Sequence, residues 1–352
     1  MINKTIYFII LAVCSPLNAS IQNAILQPVA PDIFMISWQA SGENCTYKLV
    51  NSDSNTVIFE QQAGGKGFAF TRVSGEKDKV VSYELFEIDA KGKVSASFQV
   101  KGIAGSNITC FGSFERFNPG DRKVDGFAFG QSDSWQIQVA HDGKGGKCLG
   151  FVPNGNSRVL EFSVQTPYYY IWPGTKYTFS WDIESLENNC ERANGQAYAY
   201  TSAMQTSFYA KVPSLYVYPA ARDGNCISAW GQPDLPKDLR YVQLRFSSIG
   251  SWQPKPIFID NVEIIDEDIE LLCNSDPCQI IADIDASLQG ASNDFSADLK
   301  NIKQTIAMVL PVLQAYRGND PDVFFAARTE LCNGIREYNS IKMLTKISRL
   351  AK

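Results

Sequence analysis

The sequence predicts a mainly β protein with a C-terminal α-helical region, and three observations support that fold class. Apolar and polar residues alternate in period two up to about residue 268, which is typical of half-buried antiparallel strands. From Asp266 onward, apolar residues recur at steps of three and four, which is the period of an amphipathic helix. The chain has 352 residues and is 45% hydrophobic, which is enough for two or three domains with separate cores.

Composition excludes several classes of function. The net charge of -5 argues against a nucleic-acid-binding protein, because such proteins concentrate Lys and Arg. His141 is the single histidine, so the common zinc hydrolase motifs, which need two imidazoles, are excluded. No Gly-x-Ser-x-Gly motif is present either. We therefore predict no catalytic residue and no organic cofactor. A glycosidase stays open, because it needs only two carboxylates, and Asp182 and Glu184 share one strand face.

The first 19 residues predict an export signal. Lys4 precedes an apolar run over residues 5–13, which is too short to span a bilayer, and cleavage is expected after Ala19. A lipoprotein signal ending at Cys14 is the alternative, although Val13 is larger than the residue that such processing prefers. No other segment reaches about 18 apolar residues. We expect no membrane span and a secreted or extracellular protein, with periplasmic or cell-surface retention left open.

Cysteine number predicts disulfide bonds. Removal of Cys14 with the signal leaves eight of the nine cysteines, an even number that is typical of exported proteins. The sequence does not determine the connectivity. Our preferred pairs are Cys190 with Cys226, and Cys332 with Cys273 or Cys278.

Residues 20–105 predict a small antiparallel sandwich. Strand patterns occupy residues 33–38, 47–50, 81–89 and 94–100, with a glycine-containing turn at residues 89–93. Trp38 on the second strand and Tyr83 on the sixth resemble the buried Trp and the Tyr of fibronectin type III domains. The resemblance implies a spacer or an adhesive surface.

Residues 106–268 continue as β structure, with clean alternation over residues 177–184, 241–246 and 257–264. Four landmarks occur in order: Phe114-Glu115, the glycine-rich residues 141–146, the Pro-Gly strand entry at residues 172–180, and residues 259–262. They resemble the jelly-roll carbohydrate-binding modules of secreted xylanases and cellulases, which belong to the galactose-binding-like group. Asn261 departs from that pattern, because the family often has an Asp there.

The resemblance implies a polysaccharide or glycan as ligand and a structural calcium ion. Glu115 and Asp260 occupy the positions of the family's calcium ligands, and hard carboxylate oxygens suit that ion.

Residues for sugar binding are predicted from their local context. Trp230 and Trp252 lie in turn-rich segments without an apolar period, so we expect them to be exposed stacking platforms. Trp181 shares its strand face with apolar residues and is expected in the core. If Val242, Leu244 and Phe246 point inward, the opposite face of that strand carries the polar and aromatic residues Tyr241, Gln243 and Arg245. That face suits a polyhydroxylated ligand, or it is an ordinary solvated surface.

Residues 269–352 predict a small helical bundle or a helical hairpin. Asp276 followed by Pro277 is a helix start, and a second start occurs at Asp320-Pro321. Apolar stripes follow each start, with Leu344 ending the last one. We expect this region to pack on the β domains, while a protein partner or self-association through residues 271–352 stays open.

The predicted function is non-catalytic carbohydrate binding outside the cell. The alternatives are a structural or adhesive protein that assembles through its helical tail and, less favoured, a glycoside-active enzyme.

Overall fold

The structure of the chain is a computed structural model that describes residues 22–39, 45–63, 66–73, 78–122, 127–129, 135–141, 146–153, 163–185, 193–200, 219–223, 226–232, 234–248, 256–289 and 295–350. The described residues form strands up to residue 266 and helices from residue 267 onward. The predicted fold class, mainly β with a C-terminal helical region, is confirmed. The boundaries near residues 105 and 268 stay predictions.

The first seven strands form a two-sheet sandwich. One sheet has the order β1-β2-β5 and the other has the order β4-β3-β6-β7. Trp38 on the second strand and Tyr83 on the sixth are both buried in its core, as the fibronectin type III resemblance implied. Gly67 gives Trp38 its room, because a Cβ there would lie 2.1 Å from the indole ring. The strands are β1 Gln22–Ala30, β2 Ile33–Gln39, β3 Cys45–Asn51, β4 Val57–Ala63, β5 Lys66–Arg72, β6 Val80–Ile88 and β7 Val94–Ile103.

The next eleven strands form a second sandwich. Its six-stranded sheet has the order β15-β16-β13-β18-β10-β9, and its five-stranded sheet has the order β12-β17-β11-β8 with β14 also paired to β17. Trp181 is buried between the sheets and packs edge-on against Phe246 at 5.6 Å between ring centroids, as predicted. The strands are β8 Ala128–Phe129, β9 Trp135–His141, β10 Lys147–Pro153, β11 Ser163–Gln165, β12 Tyr169–Tyr170, β13 Tyr177–Ser185, β14 Ala193–Tyr200, β15 Pro219–Asp223, β16 Cys226–Gly231, β17 Tyr241–Ser248 and β18 Ile257–Asp266.

Four helices complete the described chain: α1 Glu267–Cys273, α2 Pro277–Gln289, α3 Ser296–Ala315 and α4 Pro321–Leu350. The predicted start at Asp276 is confirmed, because its Oδ1 accepts hydrogen bonds from the backbone N–H groups of Cys278 (2.9 Å) and Gln279 (3.2 Å). Among the described residues, no helix is long and apolar enough to cross a bilayer.

Leu344 is exposed, so its assignment to the apolar stripe of the last helix is wrong. The stripe ends at Ile341, which is buried. Helix α4 has 30 residues and its antiparallel neighbour α3 has 20, a difference of about 15 Å in length. The final turns of α4 therefore extend beyond the helix that covers the rest of it. Self-association through this region stays a prediction.

The helices share one apolar core with both sandwiches. Phe324 of α4 stacks on Phe70 of the first sandwich at 4.7 Å, and Phe325 packs against Tyr170 of the second at 5.1 Å between ring centroids. Tyr241 of β17 belongs to the same cluster. The predicted packing of the helical region on the β domains is what the structure shows.

A buried ionic network lies at the same junction. The Arg328 guanidinium donates to the backbone carbonyl of Val29 (2.8 Å) and to Thr175 Oγ1 (3.0 Å), and it lies 3.0 Å from Asp266 Oδ2. Asp268 lies 3.6 Å from the same guanidinium. Arg328 therefore joins β1, the second sandwich and α4.

Cys332 carries a free thiol, so its predicted pairing with Cys273 or Cys278 is wrong. It is buried, with Sγ 3.8 Å from the Asp268 carbonyl oxygen, whereas Cys278 is exposed at the start of α2. The predicted Cys190–Cys226 bond involves Cys190, which lies outside the described residues.

Candidate functional site

The predicted ligand face on β17 is largely covered. Val242, Leu244 and Phe246 point into the core as predicted, but Tyr241 and Gln243 on the opposite face are only 5% and 3% exposed. The prediction that Tyr241 and Gln243 are accessible to a ligand is therefore wrong. The strand phase was right, but a second layer of structure lies over the outer side of the strand.

Tyr241 is covered by α4, because it lies in the same apolar cluster as Phe324 and Phe325. Tyr241 and Gln243 also contact residues beside them in their own sheet. The Tyr241 ring packs edge-on against Tyr170 at 5.4 Å, and burial raises the pKa of Tyr241 to about 12. Gln243 Nε2 donates to the carbonyl oxygen of Thr166 at 3.0 Å. Arg245 is half-buried and donates from Nε to Gln243 Oε1 at 2.9 Å. Of the three predicted residues, Arg245 alone keeps substantial exposure.

Trp230 lies on the other sheet and is 55% exposed. Its strand, β16, pairs with β13 so that Trp230 is opposite Ser180, and β13 pairs with β18 so that Ser180 is opposite Glu263. Directly opposed residues of antiparallel strands point to the same side. Phe179 and Trp181 of β13 fill the core, so this row faces outward. Trp252, the other predicted platform, lies outside the described residues.

Polar side chains surround the exposed indole. Ser180 Oγ donates to Glu263 Oε2 at 3.3 Å. Gln232 Nε2 lies 2.5 Å from Glu267 Oε1 and 2.8 Å from Thr178 Oγ1. We call this surface the Trp230 face, and its members are Trp230, Gln232, Thr178, Ser180, Asp182, Asn261, Glu263 and Glu267.

A β-bulge shapes one end of the Trp230 face. The pairing of β13 with β18 shifts between Ser180 and Asp182, and Asn261 in the bulge has a φ of 50°. Asn is one of the few residues that tolerate this conformation. The bulge directs Asn261 Nδ2 to Asp182 Oδ2 at 2.7 Å. Asn261 thus has a local structural role at the position where the sequence departs from the jelly-roll pattern.

The sequence analysis missed Ser180, Glu263, Gln232 and Glu267. The alternation around Trp181 does predict that Ser180 faces outward, because its two neighbours on β13 are apolar. The alignment of Ser180 with Trp230 and Glu263 depends on strand pairing over 50 and 83 residues of chain. No local signal carries that information.

Glu115 and Asp260, the predicted calcium ligands, form hydrogen bonds within the chain. Glu115 Oε1 accepts the backbone N–H of Lys147 at 2.8 Å, and the Lys147 ammonium donates to the Glu115 carbonyl oxygen at 2.7 Å. Asp260 Oδ1 accepts the backbone N–H of Asn261 at 2.7 Å. The described part of the chain holds no group of three or more His, Cys, Asp or Glu that could bind a metal. Calcium also uses backbone carbonyl oxygens, and a calcium ion at Glu115 and Asp260 stays a prediction.

Comparison with known proteins gives structural similarities only. No family model and no curated protein matches the chain. Among solved structures, it is similar to the K1 cleaved adhesin domain of Lys-gingipain from Porphyromonas gingivalis W83, at 20% identity and a TM-score of 0.29 over 43% of this chain and 94% of that one. It is also similar to a xylan-binding domain of carbohydrate-binding module family 22, at 12% identity and a TM-score of 0.28 over 43% and 94%.

A third similar structure is the tandem of family 22 modules from Paenibacillus barcinonensis Xyn10C. It matches at 10% identity and a TM-score of 0.31, over 68% of this chain and 80% of that one. These three neighbours are thus carbohydrate-binding modules and an adhesin domain. At these TM-scores the similarities do not identify a family, and the function proposed below rests on the chain's own residues.

Proposed function

We propose that the chain is an exported, non-catalytic protein that binds a polysaccharide or glycan through the Trp230 face. One observation carries the proposal, namely the exposed indole of Trp230 in a strand row with hydroxyl and carboxylate groups. The flat ring suits the apolar face of a pyranose, while the polar groups beside it suit the hydroxyl edges.

Rigidity supports this proposal. Trp230 and Ser180 lie on paired strands, and Gln232 is hydrogen-bonded to Thr178 and Glu267 before any ligand arrives. Side chains held by strands and by each other lose little conformational freedom on binding. Arg245 lies on the opposite sheet of the sandwich, so it is not part of this surface. Trp252 remains a proposed second platform.

Trp230→Ala tests the proposal in the full chain. Loss of about 80 Å² of apolar contact at about 25 cal/mol per Å² costs about 2 kcal/mol, which is about thirty-fold in affinity. Affinity electrophoresis against a panel of neutral, acidic and amino polysaccharides gives the measurement. Phe98→Ala is the matched control, because Phe98 is an exposed aromatic residue on a strand of the first sandwich. No retention by any polysaccharide, or equal retention of both variants, would overturn the proposal.

A further inference from the structure

We infer that the Trp230 face selects polysaccharides whose sugars carry protonated amino groups and rejects those that carry carboxylate or sulfate. The inference rests on the proposed function and adds the chemical class of the ligand. It is based on the charge of the face and on the exposed indole.

Three carboxylates lie on this face. Asp182 is an outward residue of β13, Glu263 is an outward residue of β18, and Glu267 begins α1. Each accepts its described hydrogen bond from a neutral side chain: Glu263 from Ser180, Glu267 from Gln232, and Asp182 from Asn261. Hydrogen bonds from neutral groups leave the negative charge in place.

The described lysine and arginine side chains that form ion pairs do so with aspartates outside the Trp230 face. Within the described part of the chain, the ion pairs join Arg72 to Asp32, Arg240 to Asp322 and Lys303 to Asp285, with the remainder around Arg328, Arg336 and Lys342. None of these pairs includes Asp182, Glu263 or Glu267. Within the described residues, the three carboxylates of the Trp230 face therefore keep their negative charge without an ion-pair partner.

The spacing suits a ligand longer than one sugar ring. Neighbouring strands lie about 4.8 Å apart, so the positions of Trp230 and Glu263, two strands apart, are separated by about 10 Å. A sugar stacked on Trp230 would lie beside Ser180, and the next sugar across the sheet would reach Glu263. An amino group on either sugar would lie close to a carboxylate.

The indole adds a second reason for a cationic ligand. The face of a Trp ring carries negative electrostatic potential and attracts ammonium groups. An exposed carboxylate–ammonium pair contributes little alone, but several pairs acting with the indole give about a five-fold preference over the uncharged sugar at low salt. The preference falls as salt is raised, because exposed charges are screened. A uronate or a sulfated sugar would meet repulsion from the same carboxylates.

Matched oligosaccharides test this inference on the full chain. Glucosamine oligomers, N-acetylglucosamine oligomers of the same linkage and length, and oligogalacturonides are titrated calorimetrically at a pH where the free amines are protonated. We expect glucosamine oligomers to bind about five-fold more tightly than the acetylated ones, with the ratio falling at high salt. Glu263→Gln, which keeps the shape of the side chain, reduces that ratio. Glu330→Gln, on the exposed surface of α4, is the control and leaves the ratio unchanged.

The outcomes separate the two proposals. Equal or tighter binding of the acetylated or galacturonic oligomers, still weakened about thirty-fold by Trp230→Ala, overturns the amino-sugar inference and leaves carbohydrate binding in place. A preference for glucosamine oligomers that Glu263→Gln does not change also overturns it. Failure of all three ligands and of the polysaccharide panel overturns carbohydrate binding itself.

Discussion

Arg328→Met should cause a large loss of stability, because Arg328 is fully buried beside two buried carboxylates. The variant loses the pair with Asp266 at 3.0 Å and the hydrogen bonds to Val29 and Thr175. It leaves the carboxylates of Asp266 and Asp268 buried without this partner. Breaking a buried pair by removing one partner costs about 3–5 kcal/mol.

The pH dependence of that loss has a defined direction. Burial raises the pKa of Asp266 above its ordinary value of 3.8, and the Arg328 guanidinium opposes that rise. Without Arg328 the folded-state pKa rises further, and a carboxyl with a raised folded pKa favours the folded state most when it is protonated. The loss of unfolding free energy in Arg328→Met should therefore be smallest below about pH 3.9. It should grow as the pH rises through the folded-state pKa of Asp266.

Urea denaturation of both proteins, followed by circular dichroism at several pH values, gives the free energies of unfolding. Arg72→Met is the matched control. Arg72 pairs with Asp32 at the same 3.0 Å, but these side chains are 37% and 35% exposed. We therefore expect Arg72→Met to lower the free energy of unfolding by at most about 1 kcal/mol. If Arg328→Met were no more destabilising than Arg72→Met at neutral pH, the role assigned to the buried network would be refuted.

Two further predictions concern the calcium position and the cysteines. If Glu115 and Asp260 bind calcium as predicted, addition of calcium should raise the thermal unfolding midpoint by several degrees and a chelator should reverse the rise, because a bound ion stabilises the folded state; an unchanged midpoint would contradict the calcium prediction. In the folded chain Cys278 should react with iodoacetamide well before Cys332, because Cys332 is buried and burial raises the pKa of its thiol. Mass spectrometry measures both sites, denaturant should equalise them, and equal rates without denaturant would contradict the prediction.

Local patterns predict the elements of this fold well. The Asp276 cap, the inward position of Trp181 and the exposure of Trp230 all follow from neighbouring residues. In each case the physical cause acts within one or two turns of chain, through a capping hydrogen bond or through strand alternation. These features could be predicted because no distant segment changes them.

The predictions that were wrong concern features that depend on distant segments of the chain. Strand phase places Tyr241 opposite the core correctly, yet α4, some 80 residues later in the chain, closes that face. Leu344 continues a helical stripe but lies beyond the end of the neighbouring helix. Local periodicity contains no information about which surface a remote element will cover.

The docking of α4 decides which sheet of the second sandwich is available to a ligand. The Tyr170 hydroxyl donates to Asp322, and Arg240 lies 3.4 Å from the same carboxylate, so the start of α4 is held against the five-stranded sheet at Tyr241. The Trp230 face lies on the six-stranded sheet, and Trp230 itself stays exposed. Removal of the helices would uncover Tyr170 and Tyr241, an aromatic surface that the intact chain buries. Sugar binding measured on residues 106–268 alone could then arise from this uncovered surface, so the full chain is the protein that tests Trp230.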